Sequence, residues 1–144
     1  MRLFLLVIFV FTAITSVRSQ TLEQLTDICI AGTEGATYLR DFKVELEAAR
    51  PGLPEPVAKY SMVLNKNTQY RLSVCNSEAS QGRGIIKIFD NRGMIGSNYI
   101  SSTDTDYQFF DIQIQSTGVY HIFISFKDGL PGTAVAVLSF VSRI

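Results

Sequence analysis

The chain has 144 residues, with 13 basic and 13 acidic side chains, 47% hydrophobic and 11% aromatic residues, two cysteines and one histidine. That length fits one domain, and high apolar content with only 18% charged residues excludes an extended disordered chain. Zero formal net charge leaves no electrostatic drive toward nucleic acid or an anionic membrane.

Met1-Arg2 puts positive charge ahead of an apolar run from Leu3 to Ile14, and Val17-Arg18-Ser19 follows with a small residue at its end. This is the three-part pattern of a secretory signal peptide over residues 1–19, ahead of a helical segment over 20–36 and a β-sandwich domain over 37–144. The apolar run is shorter than the roughly 20 residues a membrane helix needs, and no second long run follows. The chain is therefore expected to be exported, to the periplasm or fully outside the cell, with no membrane span. Loss of Arg2 and Arg18 would leave eleven basic residues against 13 acidic ones.

Thr21-Leu22-Glu23-Gln24 fits a capping box, and Leu22, Leu25 and Ile28 or Cys29 recur at helical spacing until Gly32 and Gly35. The period then changes to two. Phe42, Val44 and Leu46 alternate with charged residues, and the proline-bearing stretch from Arg50 to Pro56 is a loop. Tyr60, Met62 and Leu64 lead into an Asn65-Lys66-Asn67 turn, and Tyr70, Leu72 and Val74 alternate beyond it. Ile86 and Ile88 precede Asp90-Asn91-Arg92-Gly93, a strong hairpin signal, with a short strand returning from Met94 to Tyr99. Phe110, Ile112 and Ile114 form one further face. Tyr120, Ile122, Ile124 and Phe126 form another, and Ala134 to Val141 is a nearly continuous apolar strand. The fold class is all-β, an antiparallel β-sandwich of the jelly-roll or immunoglobulin-like kind, with seven to eight strands and one short N-terminal helix.

In an oxidising compartment Cys29 and Cys75 are expected to form a disulfide. Closing a loop of 46 positions is worth about 4 kcal/mol in the chain-entropy model. Cys75 shares parity with Arg71 and Ser73, so the bond should draw the helix over an outer face or edge of the sandwich. The even-numbered strand residues form the expected core. Ile85, Phe89, Phe109 and Phe123 have the opposite parity and are large and apolar. Either the helix covers them through Leu22, Leu25 and Ile28, or Phe89, Phe109 and Phe123 form an exposed aromatic binding face.

The segments "TQYRLSV", "IIKIFDNRGMIGSN", "FFDIQIQSTGVYHIFIS" and "AVAVLSF" follow one another in an order and spacing that resemble the bacterial pre-peptidase C-terminal (PPC) type of domain, over roughly residues 59–141. Thr117-Gly118-Val119-Tyr120 is the most recognisable part. Gly118 would allow a tight turn, and Tyr120 would bury its ring while its hydroxyl bonds backbone at the corner. The resemblance implies a β-sandwich accessory module of secreted enzymes with no catalytic residues. The departures expected here are the lack of an enzyme domain between the leader and the module, the cysteine pair and the N-terminal helix.

No catalytic set stands out. His121 is the only imidazole, no nucleophile elbow exists, and Gly82-Arg83-Gly84 lacks the third glycine of a dinucleotide loop. Two cysteines and one histidine do not make a zinc site. Asp104 and Asp106 are the weak calcium candidates, and no other cofactor is expected. Arg83, Lys87 and Arg92 are scattered basic residues. The favoured function is an exported, non-catalytic module that binds a protein or glycan partner. The alternatives are a small extracytoplasmic hydrolase using His121 or the Asp104/Asp106 region, or a structural subunit of a cell-surface assembly. If the leader is removed after Ser19, intact mass of exported protein will correspond to a chain starting at Gln20. A mass retaining residues 1–19 would overturn the assignment.

Overall fold

The computed structural model describes residues 20–144, so the expected signal peptide and its cleavage position lie outside the described residues. Eight strands build two four-stranded antiparallel sheets. The first sheet has the order β1 (Thr37–Leu46), β10 (Gly132–Arg143), β3 (Thr68–Asn76), β8 (Phe109–Ile114). The second has the order β2 (Ala58–Leu64), β9 (Gly118–Phe126), β4 (Gly84–Phe89), β5 (Met94–Ser97). A small ribbon of β6 (Tyr99–Ile100) and β7 (Thr105–Asp106) follows β5. The architecture is the antiparallel β-sandwich expected from the period-two pattern.

The core follows that parity. Tyr70, Leu72, Ile86, Ile88, Ile112, Ile114, Tyr120, Ile122 and Ile124 are buried between the sheets, with Phe110 partly buried against them. Phe42 of the first sheet and Tyr60 of the second meet across the core, with ring centroids 4.5 Å apart. Each fully buried aliphatic side chain in this layer contributes about 1.5–3 kcal/mol. Tyr120 makes the anticipated corner bond, its hydroxyl donating to the Ser116 carbonyl at 2.7 Å. Gly118 departs from expectation: its backbone is not left-handed, and open space surrounds it, so this corner does not depend on a glycine.

The one α-helix among the described residues, α1 (Leu22–Ala31), starts as its sequence dictates. Thr21 Oγ1 accepts from the Gln24 amide at 3.1 Å, and Gln24 Oε1 accepts from the Thr21 amide at 3.0 Å. Its buried Leu25 and Cys29 pack on Val135 and Val137, which project outward from β10. The Cys29–Cys75 disulfide joins the helix to β3, with Cα atoms 5.7 Å apart. This accounts for the continuous apolar run in the last strand. Ala134, Ala136 and Leu138 face the sandwich core while Val135 and Val137 face the helix.

The return strand expected over Met94–Tyr99 divides at Asn98. Asn98 is fully buried, and its side chain replaces strand pairing: Oδ1 accepts from the Ile86 amide at 2.7 Å, and Nδ2 donates to the carbonyls of Gly84 and Tyr107, each at 3.1 Å. One carboxamide thus ties β4 to the segment that leads into β8. Truncation would strand three backbone groups in a dry interior. Asn98→Ala is expected to lower unfolding free energy by about 3 kcal/mol in urea titrations. A loss below about 1 kcal/mol would show that the three bonds are dispensable.

Candidate functional site

The outer face of the second sheet is built in rows by strand register. Lys59, Phe123, Lys87 and Ser97 are neighbours across β2, β9, β4 and β5. Ser61, His121, Phe89 and Met94 form the next row, and Val63 pairs with Val119 beyond it. Phe89 and Phe123 are diagonal neighbours on adjacent strands, which brings large rings into contact. Their centroids lie 4.7 Å apart with planes tilted by 43°. Lys59 Nζ stands 5.1 Å from the centre of the Phe123 ring, and Ser61 Oγ hydrogen-bonds His121 Nδ1 at 2.8 Å. Both rings are partly exposed, and Val63 and Val119 are 63% and 55% exposed.

The three phenylalanines expected on one aromatic face do not stay together. Phe89 and Phe123 meet on the second sheet. Phe109 belongs to β8, on the outer face of the first. There its ring lies 4.3 Å from the Arg71 guanidinium. Arg71 is in turn fastened to Asp111 by Nε–Oδ1 at 2.7 Å and Nη2–Oδ2 at 3.0 Å, and donates to the Glu34 carbonyl at 3.2 Å. The helix packs on β10, β3 and β1, all strands of the first sheet, so Leu22, Leu25 and Ile28 leave Phe89 and Phe123 uncovered. Strand parity could separate inward from outward residues, but it could not say which outward residues share a sheet. Lys87, scattered in sequence, becomes a direct neighbour of Phe123, and the contributions of Lys59 and Ser61 were not anticipated.

Asp104 and Asp106 sit at the β6–β7 ribbon. Asp104 has a left-handed backbone, accepts from Lys127 Nζ and the Tyr99 hydroxyl at 2.7 Å each, and has its carboxyl held below the usual range by those donors. Asp106 pairs with Arg83 at 2.7 Å. Each carboxylate already has a cationic partner, and no cluster of three or more metal-ligating side chains occurs among the described residues. His121 pairs with Ser61, but among the described residues no carboxylate hydrogen-bonds the imidazole, which leaves a triad without its third member. An open groove of about 690 Å³ lies at one end of the sandwich, between the Asp90–Gly93 turn and the β8–β9 connection, with Arg92, Gln113, Gln115 and His121 on its walls. Asp90 shapes that turn by accepting from the amides of Arg92 and Gly93. No helix among the described residues is long and apolar enough to cross a membrane.

No family model matches the sequence, and no curated protein is similar to it at the sequence level. The fold does have solved counterparts. PliG of Aeromonas hydrophila, a periplasmic inhibitor of g-type lysozyme, superposes with a TM-score of 0.53 at 13% identity, over 72% of this chain and 87% of its own. The pre-peptidase C-terminal domain of a Bacillus anthracis collagenase superposes with a TM-score of 0.50 at 11% identity, over 71% of this chain and 89% of its own. At these identities the likeness is one of fold. The chain has a PPC-like β-sandwich, as the strand order and spacing implied.

The Arg71–Asp111 pair gives a pH dependence with a defined sign. Hydrogen bonds from Arg71 hold the Asp111 carboxyl below its ordinary value. A lowered folded-state value means the stabilisation is complete above the ordinary carboxylate pKa of about 4 and is lost as pH falls through the lowered value. Arg71→Gln should therefore flatten the loss of stability on acidification below about pH 4 in urea unfolding series. A variant profile parallel to wild type would refute that role for the pair.

Proposed function

We propose that this chain is an exported, non-catalytic β-sandwich module that binds a protein partner outside the cytoplasm through the outer face of its second sheet. In this proposal residues 1–19 direct export, residues 20–36 close one face of the domain, and residues 37–144 form the sandwich. The observation that carries it is the partly exposed Phe89–Phe123 ring pair on a sheet that the helix leaves uncovered. Exposed aromatic rings gathered in one patch are costly to leave in water and suit recognition. The disulfide favours an oxidising compartment. The fold likeness to a periplasmic lysozyme inhibitor supports a protein as the partner over a glycan. Because Asp104 and Asp106 are committed to Lys127, Tyr99 and Arg83, the proposed module works without calcium.

Phe123→Ser tests the proposal. The ring is partly exposed, so its loss should remove about 1 kcal/mol and lower the melting temperature by roughly 3–5 °C. Partner capture from the native host, followed by mass spectrometry, is expected to fall about tenfold or more. A sharp drop in melting temperature with the same partners still captured by the folded fraction would remove this face from the functional account.

A further inference from the structure

We propose that the outer face of the second sheet takes an acidic helical protein segment, one that presents two carboxylates about 10 Å apart with apolar side chains between them. This rests on the partner-binding function proposed above and specifies the partner's chemistry. The first argument is the sorting of charge. Along the three rows the outward side chains are Lys59, Phe123, Lys87 and Ser97, then Ser61, His121, Phe89 and Met94, then Val63 and Val119. None is acidic. The outer face of the first sheet carries both signs instead: Asp41, Lys43 and Glu45 share the outward parity of β1, Arg71 stands beside Asp111, and α1 adds Glu23 and Asp27. In a chain with no net positive charge, one face carries cations alone.

The second argument is the state of those cations. Lys59 and Lys87 are exposed, and neither makes a salt bridge among the described residues, unlike Arg71, Arg83 and Lys127. Lys59 has only the Phe123 ring beneath it, a contact that strengthens when water is excluded. The third is spacing. Lys59 and Lys87 flank Phe123 from the two neighbouring strands, so their backbone positions are two inter-strand steps, or about 10 Å, apart. Helix positions seven residues apart are separated by about 10.5 Å, so glutamates at such positions reach both ammonium groups while residues three and four along rest on the rings. An apolar centre flanked by ionic contacts has the layout of an energetic hot spot with its rim.

The probe is a synthetic helical peptide of about 18 residues carrying two glutamates seven positions apart with leucines between them, alongside the same peptide with glutamines and with lysines. Each is titrated into isotope-labelled protein at low ionic strength. The glutamate peptide is expected to shift the amide signals of Lys59, Lys87, His121 and Phe123 and to bind about tenfold more tightly than the glutamine peptide. Lys59→Glu/Lys87→Glu should reverse that order in favour of the lysine peptide, and Lys59→Gln/Lys87→Gln should abolish it without adding charge. Equal affinity for the glutamate and glutamine peptides, or shifts confined to the first sheet, would overturn the inference. So would equally strong competition from polygalacturonate, which would make the face a reader of any polyanion. Self-association in sedimentation that the Lys59→Glu/Lys87→Glu variant abolishes would overturn it too, by giving the face to a second copy of the chain. Capture lost in Phe123→Ser but kept in both lysine variants would end the charge argument alone. Capture kept in all three would end the binding-face proposal itself.

Discussion

Cys75 points outward from β3, and the rest of the molecule's asymmetry depends on the helix that its disulfide holds there. A β-sandwich has two outer faces that begin as equivalents. Joining Cys29 to Cys75 commits α1 to the first sheet, where Leu25 and Cys29 bury Val135 and Val137. The helix is only ten residues long, too short to be stable by itself, and it gains its stability from this packing and the cross-link. One helix can cover one face. The second sheet is left bare, and its outward residues meet solvent or a partner.

The two faces differ in how they handle large outward side chains. On the first sheet, Val135 and Val137 are sealed, and Phe109 lies beneath an arginine that Asp111 and the Glu34 carbonyl hold in place. Each of these side chains has a partner within the molecule, although the Phe109 ring itself stays 49% exposed. On the second sheet, Phe89 and Phe123 cover one another only in part, Val63 and Val119 face water, and the lysines beside them have no ion-pair partner among the described residues. Stability alone gives no reason for this second arrangement, because a helix on that face would bury more apolar area. The proposed recognition role supplies one.

Ser61 and His121 show how a chemically suggestive pair reads once its surroundings are known. Their hydrogen bond follows from cross-strand register, which places them directly opposite each other on β2 and β9. A nucleophile and base also need an orienting group for the imidazole and donors for a developing oxyanion. The pair stands on an open sheet face in the same row as Phe89, between the Lys59 and Val63 rows, and among the described residues no carboxylate hydrogen-bonds the imidazole. In the proposed binding role the two side chains supply a polar contact beside the aromatic pair.

Parity carried most of what could be foreseen. Alternation in the strands after Phe42 determined the β class and the buried set, because side chains on a strand alternate between faces regardless of which strand is next to it. The capping box, the Tyr120 corner and the outward direction of Cys75 were likewise local properties. The nearly continuous apolar run of β10 already held the sign that both its faces are covered, although only the position of α1 identifies the second cover. Strand order was beyond local reach. Which strands share a sheet is decided by long-range pairing, so sequence could not tell that Phe109 parts from Phe89 and Phe123, or that Lys59 and Lys87 come to flank one ring. Asn98 was silent for the same reason, since its three backbone partners lie on segments brought together only by folding. The sequence by itself determined what each strand would bury. Tertiary structure decided which exposed residues would stand side by side, because adjacency across strands is set by topology and not by spacing along the chain.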